Sequence, residues 1–461
     1  MKTVAQKPVA NKKPRPAFVS TRNACRVCTP FGACLAFKGI EGAVPLLHGS
    51  QGCATYIRRY MISHYKEPVD VASSNFSESS AVFGGAANLK TALANVIHQY
   101  HPKLIGVATT CLSETIGDDV PGIISEFERE RLDGELPPLV HVSTPSYSGT
   151  HDDGFHATLR ATVETLSRGG ETENRVNVMS GIVSPADLRH LKDVLADFGV
   201  TPNLLPDYSD TLDGPAWDDY QTIPPGGTLI ADIERMGRAR ATIEFSSTAD
   251  PDRLAGASLL RRHNVPRHIL DLPIGVRMTD KFVTILGQLT GLSIPAKHAA
   301  ERGRLIDSFV DGHKHVFGRR AVVYGEEDLV VGLASLLTEV GIVPAVCASG
   351  GTSGRLAERL KAVIPDLPAE TLVLQNVDFA EIEEHLEGLS VDLLIGSSKG
   401  YPIAKKLNVP LVRVGFPIHD RLGGARLLHL GYAGAQQLFD RIADAILESK
   451  QNGSSVGYAY M

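Results

Sequence analysis

Five of the six cysteines lie in the first quarter of this 461-residue chain. These are Cys25, Cys28, Cys34, Cys53 and Cys111, whereas Cys347 lies inside an apolar run much later. Clustered cysteines in glycine-containing turns are typical of metal ligands, and thiolate is the ligand that iron–sulfur clusters require. The alternative is that they are small buried apolar residues. We favour that core role for Cys34 and Cys347.

Three of the cysteines have local sequences suited to holding a cluster. Cys28 precedes the turn 29–33 (TPFGA), Cys53 follows the turn 48–52 (HGSQG), and Cys111 follows a predicted strand. Glycine allows the backbone to approach a bulky cluster closely. Cys53 and Cys111 each precede a predicted helix, whose first N–H groups and dipole would stabilise an anionic cluster.

Three thiolates do not complete a four-thiolate cluster, so a second chain is the simplest source of the missing ligands. The pair Cys25-x-x-Cys28 offers another interpretation, because Cys25 would supply a fourth thiolate or form a redox or zinc pair with Cys28. One such pair without a second is weak evidence for zinc. Both interpretations of Cys25 stay open at the level of sequence.

Composition is that of a globular protein, with 43% hydrophobic and 21% charged residues. The net charge of −6 gives no electrostatic reason to expect nucleic acid as a partner. No apolar stretch reaches the length of a membrane span, so we expect no membrane association and a cytoplasmic location. Residues 1–20 are predicted to form a flexible tail, since prolines interrupt it and no apolar signal core follows.

Short β-branched runs alternate with segments of helical periodicity, which predicts an α/β fold of three Rossmann-like domains with parallel sheets. The predicted strands are 104–110, 139–143, 175–179, 320–324, 342–347, 371–375, 392–396 and 410–414. One helix is predicted in detail, with Ser184 as its N-cap, Pro185 in its first turn and Gly199 at its end. We assign 21–170 to a cluster-ligating domain, 171–310 to a second domain and 311–461 to a third domain with a C-terminal helix.

Several ungapped motifs occur in a fixed order along nearly the whole chain. They are CTPFGA at 28–33, PLLHGSQGC at 45–53, TTCLSETIGDD at 109–119, TPSYSGTH at 144–151, LPDYSDTLDG at 205–214, ERGRLID at 301–307 and GFPIHDR at 415–421. Together they resemble the β-type chains of the nitrogenase component 1 family. The resemblance implies three Rossmann-like domains and an α2β2 heterotetramer, formed with a homologous α-type subunit, to which an ATP-dependent iron protein docks transiently.

The resemblance also implies an iron–sulfur cluster shared with the α-type partner. Cysteines at the positions of Cys28, Cys53 and Cys111 hold the P-cluster in catalytic β chains, and a serine at the position of Ser146 becomes a ligand on oxidation. The cluster type stays open between a P-cluster-type 8Fe–7S and a 4Fe–4S cluster. His48 is a candidate hydrogen-bond partner of a cluster sulfur or, equally, a structural histidine of the turn. We expect no catalytic residue in this chain.

Other polar residues have simpler interpretations. Glu114, Asp118 and Asp119 resemble an acid/base cluster but are better explained as partners of a helix N-terminus or as charges on a docking surface. The loop 349–354 (SGGTSG) lacks the lysine of a phosphate-binding loop, which favours an ordinary βα turn.

Two functional classes of the family fit the sequence. One is the NifN family of scaffold chains, which pairs with a NifE-type subunit that holds most of the iron–molybdenum cofactor precursor during maturation. The other is the catalytic β subunit of a nitrogenase or nitrogenase-like reductase that acts on dinitrogen or methylthio-alkanes. The short chain ends and the segments 23–28 (NACRVC) and 74–78 (SNFSE) favour the scaffold, whereas the complete cysteine set is typical of the catalytic class. A metal-free structural partner is the third alternative.

Overall fold

The computed structural model describes residues 25–131 and 136–456, which form three parallel β-sheets flanked by helices. The tail predicted at 1–20, Asn23 and the last residues, 457–461, lie outside the described residues. Buried apolar side chains from all three sheets join in one large core cluster. No helix among the described residues has the length and apolar character needed to cross a membrane.

The first sheet has four parallel strands in the order β2-β1-β3-β4. Its strands are β1 (Ala43–His48), β2 (Ala72–Ser73), β3 (Leu104–Thr109) and β4 (Leu139–Val142). Its helices are α1 (Thr29–Lys38), α2 (Gln51–Tyr65), α3 (Glu78–Phe83), α4 (Ala86–Tyr100), α5 (Cys111–Ile116), α6 (Val120–Glu130) and α7 (His151–Leu166).

Helices α1 and α7 pack with their backbones almost in contact. A Cβ atom on Gly32 would lie 1.7 Å from the carbonyl oxygen of His151, and one on Gly154 would lie 2.0 Å from that of Thr29. Only glycine fits where two backbones approach so closely. The two glycines therefore fix the start of α1, which carries Cys28, against the start of α7.

The second sheet has the strand order β6-β5-β7-β8. Its strands are β5 (Glu173–Met179), β6 (Thr201–Leu205), β7 (Ala239–Phe245) and β8 (Arg267–Leu270). The helices that follow are α8 (Pro185–Asp197), α9 (Ile230–Glu234), α10 (Ala255–His263), α11 (Gly275–Thr290) and α12 (Ala296–Val316). The predicted N-cap of α8 is confirmed, since the Ser184 hydroxyl accepts from the Asp187 N–H at 3.0 Å and the Asp187 carboxylate accepts from the Ser184 N–H at 3.0 Å.

The third sheet has five strands in the order β11-β10-β9-β12-β13. They are β9 (Arg320–Tyr324), β10 (Val343–Ala348), β11 (Leu372–Leu374), β12 (Leu393–Gly396) and β13 (Leu411–Arg413). The accompanying helices are α13 (Glu327–Glu339), α14 (Leu356–Val363), α15 (Phe379–His385), α16 (Tyr401–Leu407) and α17 (Gly431–Gly453).

The three sheets confirm the predicted fold class, and each sheet lies inside one of the three assigned ranges. The boundary assigned between residues 310 and 311 falls within α12, which continues without a break to Val316 and packs against α17. A joint between domains needs a segment with few contacts. The limit assigned at 310–311 therefore falls inside a continuous helix, and the division into these three domains stays a prediction.

Candidate metal centre

Three cysteines lie where helices begin at one edge of the first sheet. Cys28 is the N-cap residue of α1, Cys53 is the third residue of α2 and Cys111 is the first residue of α5. Helices α2 and α5 follow the neighbouring strands β1 and β3, whose carboxyl ends meet at the same edge. The sequence placed Cys53 and Cys111 before their helices; in the structure both belong to the first turn.

The three thiols are close enough to interact electrostatically. Burial raises the pKa of the Cys28 thiol to about 12, the N–H of Phe31 partly offsets this rise, and nearby Cys53 and Cys111 add to it. Cys28 and Cys53 are half-buried, whereas Cys111 is exposed. Binding of iron to Cys28 would therefore have to displace a proton, as metal binding to a thiol does.

Hydrogen-bond donors point at the thiols. The Ser146 N–H donates to Cys111 Sγ at 3.2 Å, and the Ser50 hydroxyl lies 3.9 Å from Cys53 Sγ. The Thr29 N–H, next to Cys28, donates to the Ser146 hydroxyl at 3.3 Å. Donors of this kind stabilise the sulfur atoms of metal-bound thiolates. Ser146 therefore lies between two of the candidate ligands.

Cys25 is not brought to this group. Its thiol packs against the third sheet, where burial raises its pKa to about 12, nearby Glu326 adds to the rise and the N–H of Gly350 opposes it. Cys34 and Cys347 are fully buried in the apolar core, in agreement with the role we favoured for them.

Both ring nitrogens of His48 have partners in the chain. Nδ1 lies 3.1 Å from the Ser74 hydroxyl and Nε2 lies 3.0 Å from the Asp118 carboxylate, and the ring is fully buried. Burial lowers the pKa of His48, and Asp118 opposes this shift. These contacts leave no ring nitrogen for a cluster sulfur and favour the structural interpretation of His48.

The neighbouring carboxylates also have structural partners. Glu114 lies in α5 and accepts from the hydroxyls of Thr109 and Ser143. Asp118 and Asp119 lie beyond the end of α5 and not in its first turn, because that helix stops at Ile116. Asp119 is the N-cap of α6 and accepts from the Gly122 N–H at 3.1 Å.

Sequence reasoning missed Ser74 and Thr110. Ser74 holds the His48 ring and the Gly49 N–H, and the Thr110 hydroxyl donates to the carbonyl oxygen of His48 at 3.0 Å. Each of the two residues directly follows a strand, β2 and β3 respectively. That position, where parallel sheets place their functional side chains, is the signal that would have found them.

Large apolar and aromatic side chains are exposed beside the cysteines. Tyr56, Leu112 and Tyr147 retain 42%, 36% and 68% of their accessible surface, and they lie within three residues of Cys53, Cys111 and Ser146. Exposed aromatic groups around a polar centre are typical of protein–protein contact surfaces.

A separate cavity of about 780 Å³ lies where the three sheets meet. Its lining is mostly polar and includes Arg26, Asp152, His156, Arg160 and Arg355. Nowhere in residues 25–131 and 136–456 do three or more His, Cys, Asp or Glu side chains converge to hold a single metal ion.

The donor set at the sheet edge fits an iron–sulfur cluster. Three thiols share one edge, two of them stand in the first turn of a helix, and a backbone N–H is directed at Cys111. Thiolates with hydrogen-bond donors and helix N-termini are the environment in which proteins hold and tune such clusters.

Comparison with known proteins agrees with this chemistry. Residues 28–447 match the family model described as nitrogenase component 1 type oxidoreductase. The chain is 38% identical to the nitrogenase molybdenum-iron protein beta chain of Methanothermobacter marburgensis, over 91% of this chain and 93% of that protein. It is 33% identical to the nitrogenase iron-molybdenum cofactor biosynthesis protein NifN of Bradyrhizobium diazoefficiens, over 92% of this chain and 89% of that protein.

A solved structure titled "Nitrogenase Cp1 at pH 6.5" superposes with a TM-score of 0.92 at 34% identity, over 99% of this chain and 98% of that one. Matches of this extent in sequence and in fold define membership. The chain belongs to the nitrogenase component 1 type oxidoreductase family, within which it aligns with β-type subunits.

Proposed function

We propose that this chain is the β-type subunit of a heteromer and that Cys28, Cys53 and Cys111 hold an iron–sulfur cluster at its interface with an α-type partner. The observation that carries the proposal is the position of the three cysteines at helix starts along one partly exposed sheet edge, where their thiols interact electrostatically. When bound, such a cluster accepts and passes on single electrons. The chain's own residues bind and orient it, and the exposed Tyr56, Leu112 and Tyr147 contact the partner.

Within the family we propose the scaffold role, in which the partner subunit holds most of the iron–molybdenum cofactor precursor. The segments 23–28 and 74–78, which resemble scaffold chains, support it. Chain length does not support the scaffold role. The match covers 93% of the molybdenum-iron beta chains of M. marburgensis and Clostridium pasteurianum, and these catalytic chains are therefore about as short as this one.

The catalytic β subunit is the second candidate. It is favoured by the higher identities to molybdenum-iron beta chains, 38% and 36%, compared with 33% to the NifN protein. The complete set of three cysteines is also typical of that class.

Substitution of Cys53 tests the ligand set. In the heteromer purified with its α-type partner, we expect Cys53→Ala to weaken iron retention at least about tenfold, because losing a ligand costs no less than losing a group that orients one. Iron content and the cluster's electron paramagnetic resonance signal measure the effect. Cys347→Ala removes a thiol from the core of the third sheet and serves as the control. Equal iron in both variants would remove Cys53 from the ligand set.

Transfer of a cofactor precursor distinguishes the scaffold role from the catalytic role. The heteromer, supplied with iron protein and ATP, is assayed for reduction of dinitrogen, acetylene and a thioether, and for molybdenum and iron content. A scaffold shows negligible turnover and passes a cofactor precursor to an apo-reductase. Sustained turnover without transferable cofactor would make the chain a catalytic β subunit.

A further inference from the structure

A buried hydrogen-bond network joins the turns that carry Cys53 and Cys111. Its centre is the Asp118 carboxylate, which lies 3.0 Å from His48 Nε2 and accepts from the Gly85 N–H at 3.1 and 3.0 Å. His48 ends β1, five residues before Cys53, and Gly85 joins α3 to α4. One carboxylate therefore holds three separate segments of the chain.

The network determines which nitrogen of His48 carries the proton. An ionised carboxylate only accepts hydrogen bonds, so His48 Nε2 donates to Asp118. Nδ1 is then an acceptor for the Ser74 hydroxyl, which in turn accepts from the Gly49 N–H at 2.9 Å. Each of these donors has an acceptor, and a satisfied buried network of this kind favours a single arrangement.

The same residues lock the two cysteine turns together. The carbonyl oxygen of His48 accepts from the hydroxyl of Thr110, the residue before Cys111. Gly49 packs against Thr110 so tightly that a Cβ atom on Gly49 would lie 2.1 Å from the threonine Oγ1. A shift of His48 would therefore move the turn of Cys53 relative to that of Cys111.

We propose that Asp118 is a positioning residue that fixes the spacing of the Cys53 and Cys111 thiolates by holding His48 in one tautomer and orientation. This inference deepens the proposed function and rests on it, because the cysteines matter here as cluster ligands. No hydrogen bond among the described residues joins Asp118 to a thiol. Asp118 therefore acts through His48 and Gly85.

The adjacent residue offers a matched control. Asp118→Asn removes the charge and presents an N–H group to either His48 or Gly85, whereas Asp119→Asn makes the same chemical change at an N-cap, where asparagine serves as well as aspartate. Both variants are purified as heteromers with the α-type partner. We compare the midpoint potential and electron paramagnetic resonance line shape of the cluster, the rate of iron loss to bathophenanthroline disulfonate, and the thermal unfolding midpoint.

Asp118→Asn should shift the potential and line shape and release iron about tenfold faster, the factor equivalent to one charge-assisted hydrogen bond of ordinary strength. Asp119→Asn should match the wild type in all four measurements. Ser74→Ala, which removes the other partner of His48, should change the spectrum in the same way. If Asp118→Asn and Ser74→Ala match Asp119→Asn while the wild type holds iron that Cys53→Ala loses, the positioning role is wrong and the ligand assignment stands. If the wild type holds no iron, the proposed function itself fails.

Discussion

Ser146 forms hydrogen bonds at two of the proposed ligands, to Cys111 itself and to the residue after Cys28. Its N–H donates to Cys111 Sγ, and its hydroxyl accepts from the N–H of Thr29, next to Cys28. The backbone contact does not depend on the side chain, whereas we propose the hydroxyl oxygen as the atom that binds iron on oxidation. The side chain and the backbone of Ser146 therefore have separable roles.

Replacing the Ser146 hydroxyl should affect only the oxidised state of the cluster. We expect Ser146→Ala to keep the iron content of the reduced heteromer, because the N–H to Cys111 remains, and to change the spectrum of the oxidised form. Loss of the acceptor for Thr29 should cost about 1 kcal/mol of stability. Ser148→Ala is the control, since that hydroxyl donates to the carbonyl oxygen of Pro145 and touches no cysteine. Identical oxidised spectra in the two variants would exclude Ser146 as a ligand.

The cysteines could be proposed as candidate ligands from sequence because residue type and local turn chemistry point to them. Cys53 directly follows Gly52, Cys111 comes two residues after β3, and Cys28 directly precedes the turn 29–33, so each has a feature that is visible in the local sequence. His48 was harder, because its role depends on Asp118, which lies 70 residues later. A single sequence does not reveal which distant side chain will form a hydrogen bond with a histidine ring nitrogen.

At the scale of elements, strands and helices could be predicted where neighbouring residues alone determine them. The strand Arg320–Tyr324 was predicted with its observed limits, and the cap at Ser184 was found because serine before proline starts a helix. Strand β1 was not predicted. It contains Pro45, which lacks an N–H and is unexpected in a strand that lies between two others.

Glu244 joins a strand to a helix and makes the free energy of unfolding depend on pH. It lies on β7 and accepts from the Gly256 N–H in the first turn of α10 at 2.7 Å. Burial raises the pKa of Glu244 to about 7, although the Gly256 N–H and the nearby Arg267 oppose the shift. The folded state thus keeps a proton that the unfolded state loses near pH 4.5. The group's contribution is complete below about pH 4.5 and is lost as the pH rises to about 7.

Glu244→Gln should remove the loss of stability that the wild type shows as the pH rises. Relative to the wild type, we expect the free energy of unfolding of the variant to rise by about 3 kcal/mol as the pH increases from below 4.5 to above 7, and to stay constant at higher pH. Urea titrations at pH 5 and pH 8 measure the difference. The exposed Glu128→Gln should show no such change. Parallel pH profiles for Glu244→Gln and the wild type would show that the carboxyl is ionised without cost.

At the scale of the whole molecule, the three sheets are joined through polar contacts as well as through the core. Asp328 of α13 accepts from the hydroxyl of Ser247 and from the N–H and hydroxyl of Thr248, all at 3.0 Å. Arg359 of α14 pairs with Asp271, which follows β8. The second and third sheets are thereby tied together, while the edge of the first sheet that carries the cysteines stays open to a partner.

That open edge leads to a prediction about assembly. Cys111 is exposed in the chain, and the neighbouring Leu112 and Tyr147 expose apolar surface that a partner subunit would cover. We expect alkylation of Cys111 to be at least about tenfold slower in the metal-free heteromer than in the isolated chain, since burial of the thiol both blocks access and disfavours the thiolate. Mass spectrometry after a timed pulse of iodoacetamide measures the rate at each cysteine.

Cys347 supplies the internal reference, because it is buried in the third sheet and should react slowly in both preparations. Using the metal-free heteromer separates protection by the partner from protection by bound iron. Equal Cys111 rates in the isolated chain and in a heteromer that stays intact on size exclusion would place the α-type subunit on another face. The cluster would then have to be completed by something other than the α-type partner, and the interface proposed for this sheet edge would be wrong.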